Sequence, residues 1–258
     1  MSVLKRRWVT LPLLWALILA VWQLGAWVYG PEIVPSPRAT WNGAKELIAD
    51  GTLLQYIGIS FCRVLVGWSL GSLLAIPVGL IVGRVAAIRM FAEPVLNFVR
   101  FIPPIAFITL FLVWFGIGEK SKIALIMYAT LFIVVINTMT GVLSVEEDKI
   151  RAARSMGASE WQILLHVIIP STVPYMFTGV RLAMGTSFMA IIGAEMIASN
   201  EGVGYLIWNS RLFFRTDWIF VGLISLGLMG FLTDRLTAWI GRKTLHRYGI
   251  VSTGPVRR

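Results

Sequence analysis

Cysteine is almost missing from this 258-residue chain. Cys62 is the only one, so no disulfide can close within the chain and no cysteine cluster can hold a metal. Histidine is nearly as scarce, and His166 and His246 stand far apart without the spacing of a ligand pair. Charged residues make up 14% of the chain, where a soluble domain carries about 25%. No G-x-x-x-x-G-K-[ST] phosphate loop occurs; Gly116 and Gly118 precede Lys120 at the wrong spacing. ATP binding of the usual kind is therefore excluded, and any ATP must be bound by a partner. No nucleophile–base pair of an intramembrane enzyme stands out either.

What the chain has in quantity is hydrocarbon. Hydrophobic residues make up 57%, and the mean hydropathy is +0.77. They come in long blocks, and about 20 apolar residues are what a helix needs to cross a bilayer core. Lipid offers the backbone no hydrogen-bond partners, so such blocks are helices. Barrel strands would alternate apolar with polar residues, and these blocks do not. The expectation is an all-α integral membrane protein, a single domain over residues 1–258. Its spans lie near 9–29, 56–83, 94–115, 122–143, 173–199 and 217–240. The first follows Lys5-Arg6-Arg7 but is too long for a signal core and lacks a small-residue cleavage site. It reads as a retained helix, with Trp27 and Tyr29 at the outer interface.

The net charge of +10 would suit nucleic acid, but its distribution suits a membrane. Of 23 Lys and Arg residues, fourteen fall on the side of the two termini and six on the other, with Arg63, Arg100 and Arg181 within or beside spans. The positive-inside rule places both termini in the cytoplasm. The basic tail from Arg242 to Arg258 is expected on anionic headgroups.

Within the spans, Gly67, Gly71, Ala75, Gly79 and Gly83 recur at every fourth position. Such a stripe lets another helix approach closely, either in this chain or in a second one. Pro77 is expected to kink that helix. Pro103-Pro104 interrupts the third span, where broken backbone is tolerated if buried or facing a cavity. It is read as a pathway element or as a packing kink. Glu195, an ionisable residue near the outer end of span five, is a path candidate by default, with an interfacial or structural role as the alternative. Arg63, Arg100 and Arg181 either bias a path toward anions or snorkel to helix ends. Met184, Met189 and Met196 read as packing residues.

The loop over 144–170 is too polar to span, yet it is structured. Ser144 with Glu147 fits one capping box and Ser159 with Gln162 a second. Gly157 sits where a left-handed helix terminus belongs, and Pro170 is expected to stop the second helix. Ile150, Ala153, Gly157, Trp161, Leu164 and Ile168 give one apolar face. A helix–turn–helix of this kind could read DNA, but spans bracket it tightly on both sides. It is better suited to docking a cytoplasmic protein, the alternative being a linker resting on lipid.

The segment Ile150 to Pro170 resembles the EAA loop of bacterial ABC importer permeases. That pattern is an acidic residue, two alanines, three residues, a glycine, and a later hydrophobic stretch ending in proline. Ala152, Ala153, Gly157 and Pro170 match; Arg151 replaces the acidic residue. The stretch Leu96 to Lys122, with Pro103-Pro104, Trp114-Phe115-Gly116 and Lys120-Ser121-Lys122, resembles the subfamily for nitrate, sulfonate and taurine uptake. So do Ile192-Gly-Ala-Glu-Met196 and Gly202-Val-Gly-Tyr205. The resemblance implies a type I importer fold in the bacterial inner membrane. It further implies a homodimeric pore, two ATP-binding-cassette ATPase subunits and a periplasmic or lipid-anchored solute-binding protein. Arg151, Ala152, Ala153, Gly157, Ala158, Ser159, Trp161 and Pro170 would form the coupling loop. Arg100, Pro103, Pro104, Arg181 and Glu195 are the path candidates. Neither catalytic residues, metal, resident cofactor nor nucleic acid is expected. The solute would be a small anion, the alternative being a neutral heterocyclic vitamin precursor. An ion-coupled secondary transporter is the rival class; Glu195 alone is a thin basis for it, and no inverted repeat is visible.

Overall fold

A computed structural model describes residues 2–245 and 248. The regular elements among the described residues are all helical, without strands. In chain order the helices are α1 (Ser2–Tyr29), α2 (Pro37–Ala49), α3 (Thr52–Arg84), α4 (Ala86–Val99), α5 (Ile108–Phe115), α6 (Glu119–Leu143), α7 (Glu147–Ser155), α8 (Glu160–Ile163), α9 (Ile169–Ala198), α10 (Val203–Leu212) and α11 (Thr216–Thr244). Five stretches are long and apolar enough to cross a membrane. A sixth forms if α4 and the Pro104–Phe115 segment are counted together, bent by 91°. The expected third span is thus two helices. Pro104 pushes the preceding Pro103 into an extended conformation (φ −59°, ψ 135°) and then opens a short 3-10 turn over Pro104–Phe107. Pro77, by contrast, lies inside an uninterrupted α3.

The chain divides into two compact units. One comprises Met1–Ser60 and Asn200–Gly227. It contains two helices that the apolar-run reading did not anticipate. Helix α2 starts at an N-cap, Ser36, whose hydroxyl accepts from the Ala39 N–H, with Pro37 in the first turn. Its inward side places Leu47 in a core with Leu53, Leu206 and Val221. Helix α10 follows Gly202, and the Val203 N–H donates to the Ser60 hydroxyl. Arg215 joins the unit's polar rim, donating to Glu46 at 2.6 Å and to Asp217 at 2.9 Å. The guanidinium holds the exposed Glu46 carboxyl below its ordinary range.

The other unit comprises Phe61–Ser199 and Leu228–Arg258. Here the small-residue stripe has an intramolecular role. A Cβ added at Gly67, Gly71, Gly79 or Gly83 would stand 2.6–2.8 Å from Ile126, Thr130, Thr138 or Val142 respectively. Four-residue spacing on α3 therefore meets four-residue spacing on α6, and Ala75 is fully buried in the same core as Val134. In lipid, where apolar side chains gain nothing by leaving the solvent, such close contact drives association. Gly79→Ala should cost about 1–3 kcal/mol through overpacking, because its Cβ would also sit 2.9 Å from the Val135 carbonyl. The check is thermal unfolding in detergent; unchanged stability would contradict so close an approach.

Helix α9 packs on α6 through small residues too: Gly179 against Asn137, and Gly141 against Tyr175. The buried Thr130 and Ser187 hydroxyls hydrogen-bond at 3.0 Å. The Trp68 indole N–H donates to the Val180 carbonyl at 2.8 Å.

Candidate functional site: a cavity at the helix break and a structured α6–α9 loop

The bend between α4 and the 3-10 turn opens a cavity of about 360 Å³. Val99, Arg100, Pro103, Pro104 and Ile105 line one side. Tyr128 and Phe132 of α6 and Thr186 and Met189 of α9 line the other. Arg100 is its one charged residue among those described, and its guanidinium carbon lies 5.0 Å from the centre of the Phe101 ring. Two contacts hold the broken segment in place. The Tyr128 hydroxyl donates to the Val99 carbonyl at 3.3 Å, and the Phe107 and Tyr128 rings lie 4.4 Å apart. A third feature is Gly193, where an added Cβ would meet Ile105 at 2.8 Å. The space left by that missing side chain lets the 3-10 turn lie against α9.

The sequence-derived path candidates divide. Arg100, Pro103 and Pro104 come together at the cavity, and Met189, read as a packing residue, joins them with 75% of its surface exposed. Glu195 does not line it. It is fully buried and bonded to Arg63, itself 3% exposed, at 2.8 Å. Arg63 also grips Glu119 with two bonds of 2.6 Å, and the Lys122 ammonium bridges Glu119 at 2.9 Å and Ser199 at 3.0 Å. Two cations thus balance two carboxylates across α3, α6 and α9. Arg63 is no snorkelling residue, and Lys122, at the start of the expected span 122–143, is inside the network. Arg181 lies elsewhere on α9, paired with Asp234 of α11 at 2.6 and 2.7 Å.

The α6–α9 loop folds as two short helices on their own small core. Ile150, Ala153, Ile163 and Ile168 pack with Val142 and the part-buried Leu80. Gly157 has φ +81°, a region open to glycine without a steric penalty. Its N–H reaches the Arg154 carbonyl and the Ala158 N–H the Ala153 carbonyl, the paired bonds of a Schellman terminus. Ser159 and Gln162 make both bonds of a capping box.

Three expectations for this loop need correction. Ser144 caps the end of α6 and donates to the Gly141 carbonyl; the N-cap of α7 is Glu146, with no side-chain cap bond. Trp161 is 66% exposed rather than part of the buried face, and Ile163 takes its place. Pro170 does not stop the helix. A wide π turn over Leu164–Ile168 lets the Ile169 N–H bond back to the Leu164 carbonyl, and the chain continues through Pro170 into α9. A shallow hollow beside the turn is lined by Met156, Gly157, Ala158, Gln162 and His166. Ala152 faces outward while Ala153 faces the core. Arg151 is exposed and pairs with Asp148 at 3.1 Å. Reasoning from sequence also missed Glu160, which accepts two bonds from Arg154 and one from Arg84 at the end of α3.

Residues 75–246 match the family described as binding-protein-dependent transport system inner membrane component. A probable ABC transporter permease of Brucella melitensis biotype 1 is 38% identical over 217 residues, 83% of this chain and 88% of its own. A putative aliphatic sulfonates transport permease of Bacillus subtilis is 34% identical over 240 residues, 92% and 87% of the two chains. The taurine transport system permease of Escherichia coli K12 is 33% identical over 241 residues, 88% of each. A solved chain of the MetNI methionine ABC transporter, in inward-facing conformations, shares the fold with a TM-score of 0.59. It is 20% identical and overlaps 72% of this chain and 94% of its own. The chain is accordingly a multi-pass membrane transport component rather than an enzyme, and it belongs to the binding-protein-dependent inner-membrane permeases, in the ABC importer group of nitrate, sulfonate and taurine permeases.

Proposed function

We propose that this permease passes a small anion, of the sulfonate, taurine or nitrate class, through the cavity at the helix break, with Arg100 as its cationic contact. The observation that carries this reading is the cavity itself: a break in a helix pair long and apolar enough to span together, apolar and aromatic walls, and a single guanidinium among the described lining residues. The names of the sulfonate and taurine relatives support the same class. Two copies of the chain would enclose the route, each docking one ATPase subunit that binds and hydrolyses the ATP, while a periplasmic protein delivers the solute. Both termini would be cytoplasmic, with lipid around the spans.

The α7–α8 loop would be the docking element. Met156, at the hollow beside Gly157, and Trp161 of α8 present apolar surface outward, 81% and 66% exposed. Residues Glu160–Ala198 form one stretch long enough to span, so a push on α8 would travel directly into α9 and its cavity-lining residues.

The test is uptake by proteoliposomes carrying the permease, its ATPase and its binding protein, with taurine and nitrate as probes. Arg100→Gln should lower uptake several-fold, and Arg100→Lys should recover part of it. Equal uptake by all three proteins would refute an anion contact at Arg100. The Tyr128 and Phe132 rings in the wall favour a second reading, a neutral heterocycle, for which Arg100→Gln would leave transport intact.

A further inference from the structure

Among the described residues, Phe214 is the one non-glycine residue with a left-handed backbone, at φ +54°. It lies in the tight turn that joins α10 to α11. Its N–H bonds to the Arg211 carbonyl, and the Arg215 N–H bonds to the Ser210 carbonyl. Arg215 is held in turn by Glu46 and Asp217 and lies 3.9 Å from the centre of the Trp218 ring. Glycine or asparagine would take this backbone easily, whereas a bulky side chain there is strained. Such strain persists where the surrounding structure enforces it, and it concentrates where a residue acts. Phe214 recovers little inside the chain, since 85% of its surface is exposed. Leu212 and Phe213 beside it are also exposed, as is Trp208 one turn back on α10. The exposed Arg211 is the one cation among them, 4.2 Å from the centre of the Trp208 ring. Between them, Asn209 is half-buried and Ser210 buried.

The depth of this tip follows from the helix it opens. Helix α11 has 29 residues, about 43 Å at 1.5 Å per residue. A bilayer measured through its headgroups is about 40–45 Å thick. With Arg242 and Lys243 of the last turn at one surface, Thr216 emerges in the headgroup layer of the other. The tip immediately precedes Thr216. That layer selects aromatic rings with one polar neighbour, and a guanidinium is the natural partner of a phosphate.

We propose that the α10–α11 turn is a phospholipid anchor. Leu212, Phe213 and Phe214 enter the boundary between headgroups and acyl chains, and Arg211, beside Trp208, binds headgroup phosphate. The left-handed backbone at Phe214 aims its ring away from the protein, and burial of that ring in lipid offsets the strain. The bonds from Arg215 to Glu46 and Asp217 make the turn a rigid mount for the two rings. The anchor thereby fixes the depth at which α11 enters the membrane, whatever solute the protein carries.

Fluorescence quenching tests this in the complete transporter, reconstituted in vesicles of phosphatidylethanolamine and phosphatidylglycerol. In a Cys62→Ser background, Phe214→Cys and Leu212→Cys are each labelled with bimane. A phospholipid carrying a nitroxide high on its acyl chain should quench both labels several-fold more than iodide in the water does. Stronger quenching by iodide would place the tip in water and overturn the anchor. Weak quenching by both would mean that protein covers the tip, a second copy or a docked partner, and would overturn it equally. The label at Leu212→Cys then tests Phe214 itself. Aspartate accepts a left-handed backbone better than phenylalanine does, so Phe214→Asp keeps the turn while placing a charge where lipid disfavours one. The nitroxide-to-iodide ratio at position 212 should fall several-fold with Phe214→Asp. An unchanged ratio would show that Phe214 does not hold the turn in lipid.

Discussion

Replacing Arg63 with methionine should destabilise the membrane core by about 3–5 kcal/mol, the usual consequence of removing one member of a buried ion pair. Glu195 is fully buried, and Arg63 bonds it at 2.8 Å while bonding Glu119 twice. Lys122 would still neutralise Glu119, whose side chain is 53% exposed, but Glu195 would lose its guanidinium partner in a site closed to solvent, where either holding the charge or taking up a proton is costly. Purified Arg63→Met protein should lose thermal stability by on the order of 10 °C. The double variant Arg63→Met with Glu195→Gln should regain much of it, since removing both charges abolishes the uncompensated one. If the double variant were no more stable than the single, the cost would lie in lost packing around the long arginine side chain and not in the charge.

A valine at Gly157 should leave the chain inserted and folded but deprive it of productive coupling. At φ +81° a Cβ would meet nothing within 4 Å, so the penalty is in the backbone alone, about 1–2 kcal/mol for an L-residue in the left-handed region. A β-branched residue is the worst choice there, and asparagine among the best tolerated. The strain can be relieved by releasing the two Schellman bonds to Arg154 and Ala153, which would let α8 swing away from α7. Gly157→Val should therefore lose ATPase co-purification, or hydrolyse ATP without import, while Gly157→Asn keeps most of both. Wild-type transport by the valine variant at normal expression would remove the docking role from this loop.

The two variants probe different kinds of information. The spans were legible because a bilayer crossing needs only a long apolar run, which is a local property. The α7–α8 turn was legible for a similar reason: Gly157, Ser159 and Gln162 make bonds within a few residues of themselves. The same applies to the break at Pro103-Pro104, whose position follows from proline's own geometry, although its 91° angle does not. Helix α2 could have been found from Ser36-Pro37, a cap followed by a first-turn proline. Trp161 was misplaced because helical periodicity was carried across the Gly157 turn, which resets the face.

Composition and spacing thus determined by themselves that this is a helical membrane protein with a structured loop between two of its spans, and the resemblance of that loop pointed to the permease family. Only tertiary structure decided which charged residues share a site. Arg63 and Glu195 are separated by 132 positions and Arg181 and Asp234 by 53, and no local rule pairs them. Glu195 read from sequence as a route candidate like Arg100, yet one is sealed inside an ion network and the other borders a cavity. The difference arises because a charge's energy depends on what surrounds it in space, and those neighbours come from helices that meet only when the chain is folded.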